Sequence, residues 1–464
     1  MRKPHKRPLV PWAALGCGCA ALCASQTAWA SGGSALGKQL QGVLVLLGVI
    51  GVAYVIAHLI IDRVQRRFGL VTGIEYIVIG AIVGPVSGVM TASTVASFTP
   101  AIVLGTGALG LLTGLRLDFR RFGRVDIEGA RISMWVTLVT LLFVVGIPLG
   151  VLFSMFSGPD IVAWIPGLMC VGAVSIVADM NPLESLRQFL LARGSSSDVA
   201  IGTGKFCSAL GVIAFGVLFC LFNPGVLVVP EAATAMGWVQ QLQSAPSLMW
   251  LGIHVIIGSL MGLVFGVFLR RDFEDDKLLT VLIGMVIFTS GLAYYLHLSP
   301  IFLNFILGVV LVNTNKRGHK VEQMLERAER PLYITLFFFA GTMINFGVPW
   351  WAFVAFVPYL MLRSIGRSVG GFVAARTGRM EPQPPPLGRV LLAPGALSVA
   401  MLLDFHSVYS EQVNVDVIYA ALLLAIIASE ILSYVRTKSW LIDFTDVQPE
   451  KIRRAMIGEQ MEAN

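Results

Sequence analysis

Lysines and arginines along this chain gather in every second gap between its apolar stretches, and the gaps between hold none. Basic clusters stand at Arg63/Arg66/Arg67, Arg116 to Arg131, Arg187/Arg193, Arg270/Arg271/Lys277, Lys316 to Arg330, Arg376/Arg379/Arg389 and from Arg436 onward. Segments 91–98, 156–160, 223–246, 297–298, 348 and 406–415 carry no Lys or Arg. Such segregation means little to a soluble chain, but it is what a polytopic membrane protein shows when its basic loops stay on one side. Thirteen runs are apolar enough to cross, near 41–61, 71–90, 99–115, 132–155, 161–185, 199–222, 247–268, 278–296, 299–312, 332–347, 349–375, 388–405 and 416–435. The positive-inside rule then places the mature N-terminus outside and the C-terminus in the cytoplasm. The residues are 56% hydrophobic and 13% charged, with a mean hydropathy of +0.78, where a soluble domain would carry about 25% charge.

The first thirty residues account for an external N-terminus. Arg2, Lys3, Lys6 and Arg7 precede a short apolar run, Leu9 to Ala24, and Ala28-Trp29-Ala30 offers small residues for cleavage. This is a signal-peptide layout over 1–30, and it points to a bacterial inner membrane. An uncleaved extra helix is the alternative. Residues 31–440 form the membrane domain and 441–464 a cytoplasmic tail. Of six cysteines, Cys17, Cys19 and Cys23 fall in the signal, whereas Cys170, Cys207 and Cys220 fall in spans, with no disulfide or metal spacing. The formal charge of +7 is dispersed over many loops without interleaved aromatics, which argues against a nucleic-acid partner. No Gly-rich phosphate loop, Ser/His/Asp set or HExxH motif appears, so nothing points to an enzyme or a cofactor. Transport or signalling remains.

Two spans are interrupted. In the fifth, Gly172 to Ala178 runs into Asp179-Met180-Asn181-Pro182 and resumes at Leu183; in the twelfth, Leu391-Leu392-Ala393-Pro394-Gly395 does the same. The two lie seven spans apart and cross in opposite senses, as an inverted repeat of six spans plus one linking span would give. Broken helices at the membrane midplane free backbone carbonyls and amides for an ion, and paired breaks in two halves mark a transport site. Taken singly, each is as readily a structural kink.

Several segments in order resemble the monovalent cation:proton antiporter superfamily, of sodium/proton exchanger and Kef type. They are Ser299 to Leu311, Arg330-Pro331-Leu332, Leu336 to Ile344, Thr72 to Tyr76 with Gly80 to Pro85, Arg363 to Gly371, and Ala393-Pro394-Gly395-Ala396. The likeness covers roughly residues 40 to 436. It implies an all-α fold of about thirteen transmembrane helices, an inverted repeat and two crossed discontinuous helices. It also implies a homodimer in which the crossed helices slide against a rigid dimerisation domain, exchanging Na+ or K+ for protons at one carboxylate. The chain departs from the pattern at one decisive place. The family's cation-binding Asp falls in the sixth span, near Ser208-Ala209 here, and Gly202 to Gly211 contains no acid.

Asp179 is therefore the candidate proton- or cation-binding carboxylate, helped by Asn181, Ser175, Ser208 and Thr203; the alternative is a salt bridge to Lys205 or Arg363 that only locks the core. Lys205 either serves as a core counter-ion or snorkels to the interface. Arg363 and Arg367, at i, i+4, share one helix face, and by resemblance one of them steadies the unwound segments. Glu430 is expected to pair with one of the two. Pro182, Pro394 and Gly395 are the helix breakers. Glu75 reads as part of a capping box from Thr72, His254 as a satisfied packing histidine, and Asp404 and His406 as a solvated loop edge. Two other readings stay open: a transport-inactive scaffold or sensor subunit, and an anion or organic-acid transporter using Lys205, Arg363 and Arg367.

Overall fold

The computed structural model describes residues 73–444 apart from 89, 91, 156–158, 190–194, 223–246, 270–274, 316, 378–386 and 410–413. The expected signal peptide and the span 41–61 lie outside the described residues. Among those described, all regular structure is helical. Seven helices are long and apolar enough to cross a membrane, and four shorter apolar helices accompany them.

In chain order these are α1 (Ile74–Ala81), which runs into a π turn at Ile82–Val86; α2 (Ala92–Ser97); α3 (Thr99–Leu115); and α4 (Arg124–Leu141), which passes through a π turn at Leu142–Gly146 into α5 (Ile147–Met155). Then come α6 (Pro159–Ile176), α7 (Asn181–Phe189), α8 (Ser195–Phe222), α9 (Ser247–Phe268), α10 (Asp275–Tyr295), α11 (Pro300–Thr314) and α12 (Gly318–Thr342). The remainder is α13 (Trp350–Val354), α14 (Phe356–Thr377), α15 (Gly395–Tyr409) and α16 (Val415–Phe444). Large apolar side chains on α4, α9, α10 and α14, such as Leu138, Ile256, Ile287 and Phe372, are more than half exposed, as lipid-facing positions should be.

The helices pack as two sets. In the first, α11 lies against α3 and α9, and α12 against α1. The backbones there nearly touch: a Cβ on Gly110 would sit 2.2 Å from the Ile301 carbonyl oxygen. In the second set, α4 packs on α8 and α14, and α6 on α8. A Cβ on Gly370 would lie 2.8 Å from Val136 Cα. Small residues at such crossings let helices close without a hydrophobic drive, which lipid does not supply. Helices α15 and α16 join the second set while α15 also meets α3 and α12 of the first.

Both interruptions are present. Helix α6 ends at Ile176, residues 177–180 are non-helical, and α7 begins at Asn181 with Pro182 in its first turn, where a missing N–H costs nothing. After a 3-10 turn at Leu387–Arg389, residues 390–394 carry no regular helix and α15 starts at Gly395, whose φ is +66°. One expectation is corrected. The charged stretch 318–330 is not a loop, because α12 runs unbroken through it from Gly318 past Pro331. Helix α1 starts after Gly73, which is in the left-handed region; Thr72 of the expected capping box lies outside the described residues.

Candidate ion-binding site

The two breaks meet. Asp179 N–H donates to the Ala393 carbonyl at 2.8 Å, so each unwound strand satisfies the other. The Asp179 side chain rests on Gly395 so closely that a Cβ there would come within 2.5 Å of Asp179 Cβ and 2.6 Å of Oδ2. Gly395 is thus needed twice, for its positive φ and for its missing side chain. Its N–H donates to Glu430 Oε1 at 2.7 Å. Glu430 accordingly spends that oxygen on the start of α15; among the described residues it forms no ion pair with Arg363 or Arg367, which revises the expected pairing.

Helix α6 stops inside the protein with three bare carbonyls, a partial negative charge with no water to meet it. Arg363 and Arg367, both fully buried, supply the cap. Arg363 donates from Nε to Ser175 O at 3.2 Å and from Nη2 to Val177 O at 2.9 Å. Arg367 Nη2 reaches Ser175 O, Ile176 O and Val177 O at 2.7 Å each. Snorkelling toward an interface is thereby ruled out for both. The opposite pole is used as well: at the N-terminus of α7, Asn181 N–H donates to Asp179 Oδ1 at 3.1 Å.

A funnel of about 80 Å³, room for several waters, opens beside Asp179. It is lined by four acids, Asp179, Glu184, Glu326 and Glu329, and by two bases, Arg116 and Lys205, together with Asn181, Ser208 and Tyr333. Asp179 is partly exposed to it while Val177, Ala178 and Met180 are buried. The funnel lies where α3 ends and α7 begins, against residues 326–333 within α12.

Across the funnel, buried Glu329 holds Arg116, whose Nη2 lies 3.1 Å from Oε2. Glu329 Oε1 accepts from the Tyr333 hydroxyl and from Asn181 Nδ2, the latter at 3.3 Å, and Asn181 Nδ2 also donates to Tyr333 Oη at 2.5 Å. Arg116 lies 3.7 Å from Glu326 as well. No lysine or arginine pairs with Asp179 among the described residues, so the locking salt bridge with Lys205 or Arg363 is not formed. Lys205 instead lines the funnel with an exposed side chain.

Of the remaining expected helpers, Ser208 lines the funnel and donates to Ala178 O at 2.8 Å. Ser175 turns its hydroxyl back to Gly172 O, and it serves the site only through its carbonyl. Thr203 is buried, bonds Val199 O and lies outside the funnel lining. Sequence reasoning missed Arg116, Glu326 and Glu329, since it took their segments for solvated loops, and it passed over Glu184 and Tyr333 near the ends of expected spans. A signal was there: 319, 322, 326, 329 and 333 follow the 3-4 spacing of one helical stripe, His-Glu-Glu-Glu-Tyr.

Just outside the funnel that stripe continues. His319 bridges Asp118 at 2.8 Å and Glu322 at 3.0 Å. Burial pushes the Asp118 carboxyl up, but hydrogen bonds from His319 and from Arg120 outweigh it and hold the group below the usual carboxylate range. Burial also raises Glu326, against the attraction of Arg116.

His254 is a satisfied histidine, as expected, with Nδ1 2.8 Å from Trp250 O and Nε2 accepting from Ser299 N at 3.1 Å. Asp404 is not a solvated edge. It is 5% exposed and bonded to Ser299, whereas His406 meets Asp416 at 3.2 Å. Cys170, Cys207 and Cys220 are free and buried.

The fold matches that of the sodium proton antiporter MjNhaP1 from Methanocaldococcus jannaschii, solved at pH 8, with a TM-score of 0.62 at 14% identity over 86% of this chain and 99% of that one. An electron-microscopy structure of the same antiporter aligns with a TM-score of 0.58 at 15% identity, over 86% and 98% of the two chains. In sequence, 98 residues are 37% identical to the ammonium/H(+) antiporter subunit AmhT of Alkalihalophilus pseudofirmus. That match takes in 20% of this chain and spans about a quarter of the relative, 25% of its length. No family model matches. By their names, the proteins that this chain resembles are antiporters, not enzymes.

Proposed function

We propose that this protein is a secondary transporter that exchanges a monovalent cation for protons across a bacterial inner membrane, with Asp179 as the carboxylate both ions compete for. One observation carries the reading: a carboxylate that pairs with no lysine or arginine among the described residues stands where two interrupted helices cross, beside a funnel with four acids against two bases. A surplus of negative charge draws cations and repels anions. Arg363 and Arg367, which an anion site would need, are turned instead to the carbonyls of α6. The organic-acid reading loses two of its three residues on that account, and Lys205 is left among the four acids of the funnel.

In this reading a hydrated cation reaches Asp179 down the α12 stripe and sheds water for Asp179 Oδ2, Asn181 and the neighbouring carbonyls. Ser208 fixes the Ala178 carbonyl in place of the absent sixth-span acid. A proton arriving at Asp179 cancels its charge and releases the metal, and the desolvated setting brings the two ions into competition. Na+, K+ and ammonium are the candidate cargoes, the last from the AmhT match. That match is to a subunit, which favours a second arrangement in which this chain works within a larger complex. The thirteen spans, the inverted repeat, the cleaved residues 1–30, the external N-terminus, the cytoplasmic tail 441–464 and the homodimer belong to the same proposal.

The test is a proton-gradient assay in everted vesicles. Addition of Na+, K+ or ammonium should dissipate the gradient when the protein is present, and Asp179→Asn should abolish the effect. A gradient unmoved by every cation would remove the transport reading, and a stoichiometric partner purified with an inert protein would support the subunit role.

A further inference from the structure

Asp404 is a membrane-buried acid that the funnel does not use. It sits on α15 nine residues beyond Gly395, about 13 Å along the helix axis, away from the funnel and near residues 297–298 and 406–409, which carry no Lys or Arg. Its Oδ2 accepts from Ser299 Oγ at 2.8 Å. Ser299 is fully buried and is the N-cap residue of α11, its Oγ also accepting from Phe302 N at 3.4 Å. The Ser299 N–H is held in turn by His254 of α9. So α15, packed on α16 and α6, is tied to the first helix set through a residue that α11 and α9 both fix.

On the funnel side the two sets are tied elsewhere. Asn181, at the start of α7, donates to Glu329 and Tyr333 of α12. Polar bridges between the sets thus lie on either side of the Asp179–Gly395 crossing, and Tyr419 Oη to Ala340 O at 2.8 Å and Asn345 Nδ2 to Asp416 Oδ2 at 2.7 Å also join α16 to α12 and the segment after it. Within each set the packing is backbone on backbone, as at Gly110 and Gly370, and leaves no slack; motion between sets costs only side-chain contacts. A buried acid given one hydroxyl partner is held across the interface by a single bond.

We infer that Ser299 and Asp404 are the positioning pair that holds the far side of the crossing shut while the funnel side is open. The inference rests on the reading of Asp179 as a site reached alternately from two sides. Opening the far side separates α15 from the α11 N-terminus, and the Ser299–Asp404 bond must break when it does. Ser299 and Asp404 then set which side Asp179 faces, without touching the cation.

The experiment reads access, not transport. Leu397 lines the funnel one turn into α15, so Leu397→Cys is introduced in a full-length chain with Cys170, Cys207 and Cys220 replaced by Ala. A charged, membrane-impermeant methanethiosulfonate is then added from the side of residues 297–298 and the C-terminal end of α15. Ser299→Ala should raise the labelling rate from that side up to about tenfold, the population shift that loss of roughly one hydrogen bond brings. Asp404→Leu breaks the same bond without touching the α11 cap and should do likewise. Unchanged labelling in both variants, in protein that still elutes as a single species, overturns the inference. Proton release from Asp179 on Na+ addition, measured on the parent protein, separates that result from failure of the transport reading.

Discussion

Removing the guanidinium cap from α6 should have an effect that depends on which arginine is removed. Arg367 Nη2 reaches all three carbonyls, whereas Arg363 reaches only those of Ser175 and Val177. Arg363→Met therefore leaves no carbonyl bare and should cost roughly 1–2 kcal/mol in lost hydrogen bonding. Arg367→Met strands Ile176 O, adding roughly 1–3 kcal/mol for a buried acceptor without a donor. The double variant strands all three carbonyls and should lose more than the two single losses combined, by about 1 kcal/mol or more. Each substitution also removes a buried charge and regains its desolvation cost, which lowers every figure without changing their order. Thermal unfolding of the purified protein in detergent measures the series, with Tm expected to fall in the order Arg363→Met, Arg367→Met, double. Equal Tm losses for the two single variants, or a double variant that is merely additive, would refute the division of labour between the arginines.

Gly395→Ala forces a side chain into positive φ, at roughly 1–2 kcal/mol, and drives a methyl against Asp179; Tm and cation affinity should both fall, and retention of either wild-type value would contradict the geometry. Ser208→Ala leaves Ala178 O without its hydroxyl donor, so a loss of about 1 kcal/mol in unfolding stability and a weaker apparent cation affinity are expected. Asp118 has its carboxyl lowered in the folded state, so its contribution is present above the ordinary carboxylate range, near pH 4, and disappears as pH falls through the depressed value. Asp118→Asn should therefore lower Tm at neutral pH and flatten the acid limb of a Tm–pH profile; an unchanged slope below pH 4 would count against the His319 bridge. Glu329→Gln removes the charge that anchors Arg116, and a raised cation KM with the protein still folded is the expected outcome in vesicle assays.

What the chain disclosed from its residues alone followed physical regularity. Apolar run length marked the membrane helices, and the Pro and Gly at 182, 394 and 395 marked the interruptions, because Pro is best placed in a helix's first turn and Gly alone takes a positive φ freely. Asp179 stood out as an acid amid apolar neighbours. The Arg363/Arg367 pair was visible by its i, i+4 spacing, although not that both would turn to the same three carbonyls. The far wall of the site was not legible. Glu326, Glu329 and Arg116 lie among Lys and Arg in segments whose hydropathy says loop, and only the continuation of α12 through 318–330 brings them to Asp179. Asp404 was misjudged for a related reason: a position near a helix end looks solvated until a partner such as Ser299, 105 residues away in sequence, covers it.

The central claim is that one carboxylate trades a proton for a cation, and its most direct measurement is proton release on cation binding. Purified protein in weakly buffered detergent solution with a pH-sensitive dye is titrated with Na+, K+ and ammonium. The account predicts saturable acidification by at least one of them, approaching about one proton per chain where Asp179 is protonated beforehand, and none from Asp179→Asn. No acidification by any of the three, or the same release from Asp179→Asn, would contradict it.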